Sequence, residues 1–152
     1  MILRSGITGF LPAPSIKESE FKAVCYSLLD SDEVEVVETQ GFVKSFYECI
    51  INVKNKRVHV LLNSQYPFVA FTSSRQADER NFPFNDDIEL SNIFSPYYKV
   101  LCFEQLNEPV KYRQQGKNII IENENTLHQA ELKQAAYWKP KTVGEIIFNY
   151  WD

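Results

Sequence analysis

Between residues 42 and 71 the chain reverses direction twice, and each reversal has almost no room. Apolar, β-rich segments at 42–53, 57–62 and 68–71 are separated only by Lys54-Asn55-Lys56 and by a polar stretch that opens with Asn63-Ser64-Gln65. Parallel neighbours need a crossover of a dozen or more residues, so these connections allow antiparallel pairing alone. A doubly wound parallel sheet is thereby excluded and a three-strand meander is expected. Asn55 tolerates the left-handed backbone of a tight hairpin, and Pro67 is acceptable because it sits at a strand start. Val43, Tyr47 and Cys49 alternate, but Ile50, Ile51 and Val53 then form a nearly continuous apolar run, which predicts a strand covered on both faces for part of its length.

Helices are expected on either side of this meander. Ser15 and Glu18 have capping-box spacing, and Phe21, Val24, Cys25, Leu28 and Leu29 recur at helical intervals, which predicts a helix over 15–30. Val34, Val36 and Val37 suggest an extended segment ending near Gly41. Residues 73–87 are polar and without period, the longest expected loop. A helical turn is expected at 88–94 and a fourth strand over 97–103. The stretch 106–113 is left open because Pro109 interrupts it. Gly116-Lys117-Asn118 marks a turn before the short strand 119–121, and Thr126 with Gln129 opens a helix to Tyr137. Thr142 and Glu145 form another capping box, after which Val143, Ile146, Ile147, Tyr150 and Trp151 make one helical stripe that must dock to stay ordered. The expected fold class is α+β: one globular domain over residues 1–152, an antiparallel β-meander sheet with the N-terminal helix and the C-terminal helices packed on one face.

Composition narrows the functional classes. With 44% apolar and 24% charged residues the chain is too apolar to be disordered, and no segment approaches the ~18 apolar residues of a membrane span. The opening residues show no signal-peptide pattern, so the cytoplasm is the expected location. Cys25, Cys49 and Cys102 are odd in number and widely spaced, as reduced core thiols would be, and with His59 and His128 they match no zinc spacing. The net charge of −4 is distributed in blocks: three basic and seven acidic residues in 1–41, five and one in 42–77, two and seven in 78–109, six and five in 110–152. This alternation argues against nucleic acid, which selects a concentrated basic face, and suits a protein partner with a basic surface.

Chemistry-bearing patterns are sparse. His59 lies mid-strand on the face shared by Arg57 and Leu61; it titrates near neutral pH, and across the first hairpin a Cys49/His59 dyad is conceivable on paper. All five glycines lie outside a nucleophile elbow, and Gly6-Ile7-Thr8-Gly9 runs into Phe10 and two prolines, so it opens no phosphate-binding helix. No cofactor is implied. Asp78, Glu79, Asp86, Asp87 and Glu89 form the densest carboxylate cluster, but the calcium-loop pattern is absent and an aspartate before Ile88 serves equally as a helix cap, so no metal is assigned. Phe82 and Phe84 stand among these acids; aromatics framed by charge serve interfaces, and they also staple loops to cores.

The leading expectation is a non-enzymatic protein-binding module, for instance an immunity- or antitoxin-type inhibitor, contacting its partner through Asp78, Glu79, Phe82, Phe84, Asp86, Asp87 and Glu89. The alternative is an enzyme or small-ligand binder with a pocket formed by His59 and the aromatics Tyr137, Trp138, Tyr150 and Trp151. A homodimer through the terminal helix is a third expectation.

Overall fold

The protein, a computed structural model, is described for residues 1–10, 15–30, 32–37, 44–73 and 82–151. Its centre is a five-stranded sheet in sequential order: β1 (Val34–Val37), β2 (Phe46–Val53), β3 (Lys56–Asn63), β4 (Phe68–Thr72) and β5 (Lys99–Val100). β1 to β4 form the antiparallel meander. The β2–β3 turn is made by Lys54 and Asn55 at φ 52° and 62°, so two consecutive left-handed residues reverse the chain with the twist a hairpin needs. The expected fourth strand shrinks to the two residues of β5, and it runs parallel to β4. A helix, α2 (Ile88–Phe94), fills the connection and makes the parallel return feasible.

The side chains of the sheet divide sharply by face. Tyr47, Cys49, Ile51, Val58, Val60, Leu62, Val69 and Phe71 join Phe21 and Cys25 of α1 (Glu18–Leu28) and Leu90 and Phe94 of α2 in one apolar cluster. On the other face Phe46, Leu61 and Ala70 meet the chain's two ends: Leu3 and Ile7, then Leu106 of α3 (Phe103–Leu106), Ala135 of α4 (Gln129–Trp138), and Val143, Ile146 and Ile147 of α5 (Val143–Ile147). The α+β class and both sets of helices agree with expectation, while their placement is divided: α1 and α2 cover one face and the C-terminal helices the other. β2 and β3 carry buried apolar side chains on both faces, and each face attracts its own layer. A separate hairpin, β6 (Tyr112–Gln115) with β7 (Asn118–Ile121), settles the stretch around Pro109; Pro109 itself lies before β6 and bridges to Thr142.

Several helix starts are displaced. α1 begins after Lys17 and has no side-chain cap, so the Ser15–Glu18 box does not form. α4 is capped by His128 with Glu131, in place of Thr126 with Gln129. Thr142 does cap α5, accepting from the Glu145 N–H, while the Glu145 carboxylate accepts from the Lys141 N–H at 2.6 Å. α5 ends at Ile147, and Tyr150 and Trp151 continue in extended backbone, so the stripe predicted for a longer helix is buried by a short helix and a docked tail.

Buried polar groups hold that tail and the N-terminal segment. Glu131 is fully buried and accepts from the N–H groups of Gly6 (3.0 Å), Thr8 (3.3 Å) and His128 (3.1 Å) and from the Thr8 hydroxyl at 2.5 Å. Asn63, at the end of β3, donates to the carbonyls of Ile7 and Ile147, and Asn149 donates to those of Thr8 and Ile146. Ser45 bonds the Ile147 carbonyl and receives the Asn149 N–H. Irregular backbone can be buried here only because side chains satisfy it.

Candidate functional site

The segment from Phe82 to Glu89 follows the end of β4 and leads into α2. Its beginning is core. Phe84 forms an isolated antiparallel bridge with Thr72, and the Asn85 N–H donates to the Phe71 carbonyl. Phe82 meets Phe46 edge-on at 5.6 Å and stacks on Tyr150 at 6.1 Å; Phe84 contacts Phe148 at 5.8 Å. Both rings are at least nine-tenths buried. Of the two roles open to them in sequence, they occupy the stapling one. Gly144 makes room for this: a Cβ there would lie 2.6 Å from the Phe84 ring and 2.9 Å from the Leu106 carbonyl oxygen.

The three carboxylates that follow do different jobs. Asp86 is exposed and accepts from the N–H of Phe103 at 2.8 Å, which satisfies a free donor in the first turn of α3. Asp87 is buried; it caps α2 through the Leu90 N–H at 3.0 Å and forms an ion pair with Lys56. Burial alone would raise its carboxyl, but the Lys56 ammonium and the amide bonds outweigh that and hold it below the usual aspartate range. Glu89 is exposed and faces Lys54 at 3.5 Å, a solvated pair worth about 1 kcal/mol at most. Asp78 and Glu79 lie outside the described residues.

Beside this segment is a cavity of about 140 Å³. Its floor is apolar, with Leu29 from beyond α1, Ile51 and Val53 of β2, Val58 of β3, and Leu90 and Ile93 of α2; Lys54, Lys56, Asp87 and Glu89 supply charge around it. Next to Glu89, Ile88 is 80% exposed, and Phe103, tied to Asp86, is 42% exposed. An open apolar hollow, an exposed β-branched side chain and a mixed charged margin thus lie close together. The sequence expectation names Asp86, Asp87 and Glu89 but not Ile88, Phe103 or the cavity beside them. Ile88 reads as an ordinary helical apolar residue, and nothing in its spacing shows that it lies on the outer side of α2.

His59 belongs elsewhere. It is buried on the other face of β3 with its Nδ1 2.7 Å from Oε2 of Glu48, its diagonal neighbour on β2. Cys49 points to the opposite face, where its sulfur lies 3.1 Å from that of Cys25, so the Cys49/His59 dyad is sterically excluded. Thr72 stands directly across from His59, and its buried hydroxyl has no hydrogen-bond partner among the described residues. Farther along this face Glu35, Asn52 and Arg57 form an exposed network, in which the Asn52 amide and Arg57 hold the Glu35 carboxyl below its ordinary value.

The C-terminal aromatics scatter. Tyr137 is exposed, Trp151 is buried, and Trp138 and Tyr150 are half-buried around a separate cleft of about 210 Å³ that also takes in Phe82, Lys139, Lys141 and Glu145. His59 is not among its lining residues. Among the described residues the carboxylates close enough to share a cation are Asp30, Asp32 and Glu33, all at least partly exposed and away from both clefts' walls. No helix of the described residues is long and apolar enough to cross a membrane. Comparison with protein-family models, with curated proteins and with solved structures finds no match to this chain.

Proposed function

We propose that this protein is a non-catalytic binding module that recognises another protein through the surface around the start of α2, in the manner of a cytoplasmic immunity- or antitoxin-type inhibitor. The apolar-floored cavity beside exposed Ile88 carries the reading. Interface energy concentrates where a partner's side chain fills a pocket ringed by polar contacts that exclude water. Here the hollow accepts an apolar side chain, and Lys54, Lys56, Asp87 and Glu89 are its ring. Asp86 and Glu104, exposed outside that ring, add negative charge, which favours a partner whose contact surface is basic. The Phe82 and Phe84 rings are buried, so the proposed contact surface is Ile88, Glu89, Asp86 and Phe103.

The test uses the exposed residues and spares the cap. An Ile88→Asp, Glu89→Lys variant alters the surface where substitutions change stability little. Wild-type protein immobilised in native lysate is expected to retain a basic protein stoichiometrically, and the purified pair is expected to lose at least about 100-fold in affinity with the variant, the scale of one hot spot. Undiminished affinity would move the contact off this surface. No stoichiometric partner at moderate or low salt would remove the binding-module reading itself.

A further inference from the structure

The apolar face of the sheet contains a juxtaposition that the binding reading does not use. Cys25, on the inner side of α1, and Cys49, in the middle of β2, are each at most 1% exposed, and their sulfurs are 3.1 Å apart. A disulfide bond is about 2.05 Å, so roughly 1 Å of approach separates this contact from a covalent bridge. The two cysteines come from different elements, 24 residues apart, with β1 between them. Phe21, Val34, Ile51, Val60 and Phe94 share the cluster with them. Cys102, the remaining cysteine, caps α3 and lies outside that cluster.

We infer that Cys25 and Cys49 are a modification site, a dithiol that closes to a reversible disulfide joining α1 to the central strand. The oxidant is a low-molecular-weight disulfide such as glutathione disulfide. One cysteine thiolate attacks a sulfur of that disulfide, breaking its S–S bond and releasing one glutathione thiolate, which takes up a proton. The second cysteine thiolate then attacks the protein-side sulfur of the mixed disulfide, releasing the second glutathione. One S–S bond is broken and one formed, two protons pass from the protein thiols to the two glutathiones, and two electrons reduce the small disulfide. Burial keeps the first step slow while α1 is seated. α1 starts without a side-chain cap, so the reactive state is a local opening of this helix that leaves the sheet intact. Closure then constrains the 24-residue separation and locks α1 to β2.

The full chain with Cys102→Ser would be equilibrated with glutathione disulfide in sub-denaturing urea, returned to buffer and digested without reduction. The expected result is a Cys25–Cys49 linked peptide, a mass loss of two hydrogens in the intact protein, and a melting temperature about 8 °C above that of the same sample after dithiothreitol. Cys25→Ala and Cys49→Ala variants, read separately, are expected to lose both the link and the reducible shift, and the wild-type comparison with and without reductant stands even if either variant folds poorly. Only glutathionylated or unmodified Cys25 and Cys49 would overturn the inference. So would a linked product that melts below the reduced form, because the bridge would then be pulling the elements out of place.

Discussion

The two faces of the central sheet are built on different principles. The face under α1 and α2 is apolar from Val34 through Phe71; two thiols touch each other within it, and at its edge the Tyr47 hydroxyl donates to the Ile16 carbonyl. The opposite face grades along the strands from an apolar centre at Phe46, Leu61 and Ala70 to the buried polar group Glu48, His59 and Thr72 and then to the solvated Glu35, Asn52 and Arg57. Around that centre the chain's ends are held by Glu131, Asn63, Asn149 and Ser45. Regular helices satisfy their own backbone and need from the sheet only a greasy surface. Segments such as 3–9 and 148–151 have orphan donors and acceptors, so they dock only where directional polar side chains meet them. One face is fastened by area, the other by area plus a few indispensable bonds.

That contrast is broken most directly at Glu131. Glu131→Ala leaves the N–H groups of Gly6 and Thr8 and the Thr8 hydroxyl buried without an acceptor, and about 4 kcal/mol of stability is expected to be lost in urea denaturation. A loss under 1 kcal/mol would mean the N-terminal segment is held by packing alone. On the apolar face, Leu62→Ala removes a fully buried side chain from the apolar cluster and is expected to cost about 3 kcal/mol, with the cost following the cavity left. Equal or greater damage here than at Glu131 would reverse the ranking of the two faces.

Gly144→Ala tests packing where the polar face is tightest. The added methyl meets the Phe84 ring and the Leu106 backbone, and about 2 kcal/mol of destabilisation is expected from thermal melts; neutrality would show that Phe84 can leave its place. The smallest effect is at the rim of the apolar face. Asp87→Asn is expected to cost about 1 kcal/mol at neutral pH by weakening the Lys56 pair and the α2 cap. Because the folded carboxyl lies below its unfolded value of about 3.9, its contribution is complete above that pH and disappears as pH falls through the lowered folded value. The wild-type and variant stability curves should therefore converge below about pH 4. Parallel curves down to the acid limit would remove Asp87 from the linkage.

At high pH two tyrosines, one beside the sheet and one on the separate β6–β7 hairpin, matter. Tyr98, half-buried against Phe21, and Tyr112, whose hydroxyl donates to the Pro140 carbonyl at 2.5 Å, are both pushed up to about 12 chiefly by burial. Each contributes stability that is complete below about pH 10 and is lost as pH rises toward 12. Ultraviolet titration should show phenol ionisation extending to about pH 12.

Much of this was legible in residues alone. Short turns between apolar segments dictated the meander, because an antiparallel return is the one connection two or three residues can make. The cap at Thr142 and the apolar periods of α1 and α5 announced helices, because helix ends need a donor partner close in sequence and helical faces repeat close in sequence. Cys25 and Cys49 were readable as buried thiols, and Asp87 as a cap. Which face each helix would cover was not readable, since β2 and β3 are apolar on both sides and either face would accept it. Nor was the Glu48–His59 pair, which depends on hairpin register, or the grip of Glu131 on Gly6 and Thr8, which lie more than 120 residues away. Phe84 became core beside a glycine sixty residues later, and Phe82 against Phe46 and Tyr150. Ile88 stayed at the surface because the turn of α2 directs Leu90 and Phe94 inward instead. Local physics therefore determined the elements and their order, while long-range contacts decided the faces, the buried bonds and the surface left open for a partner.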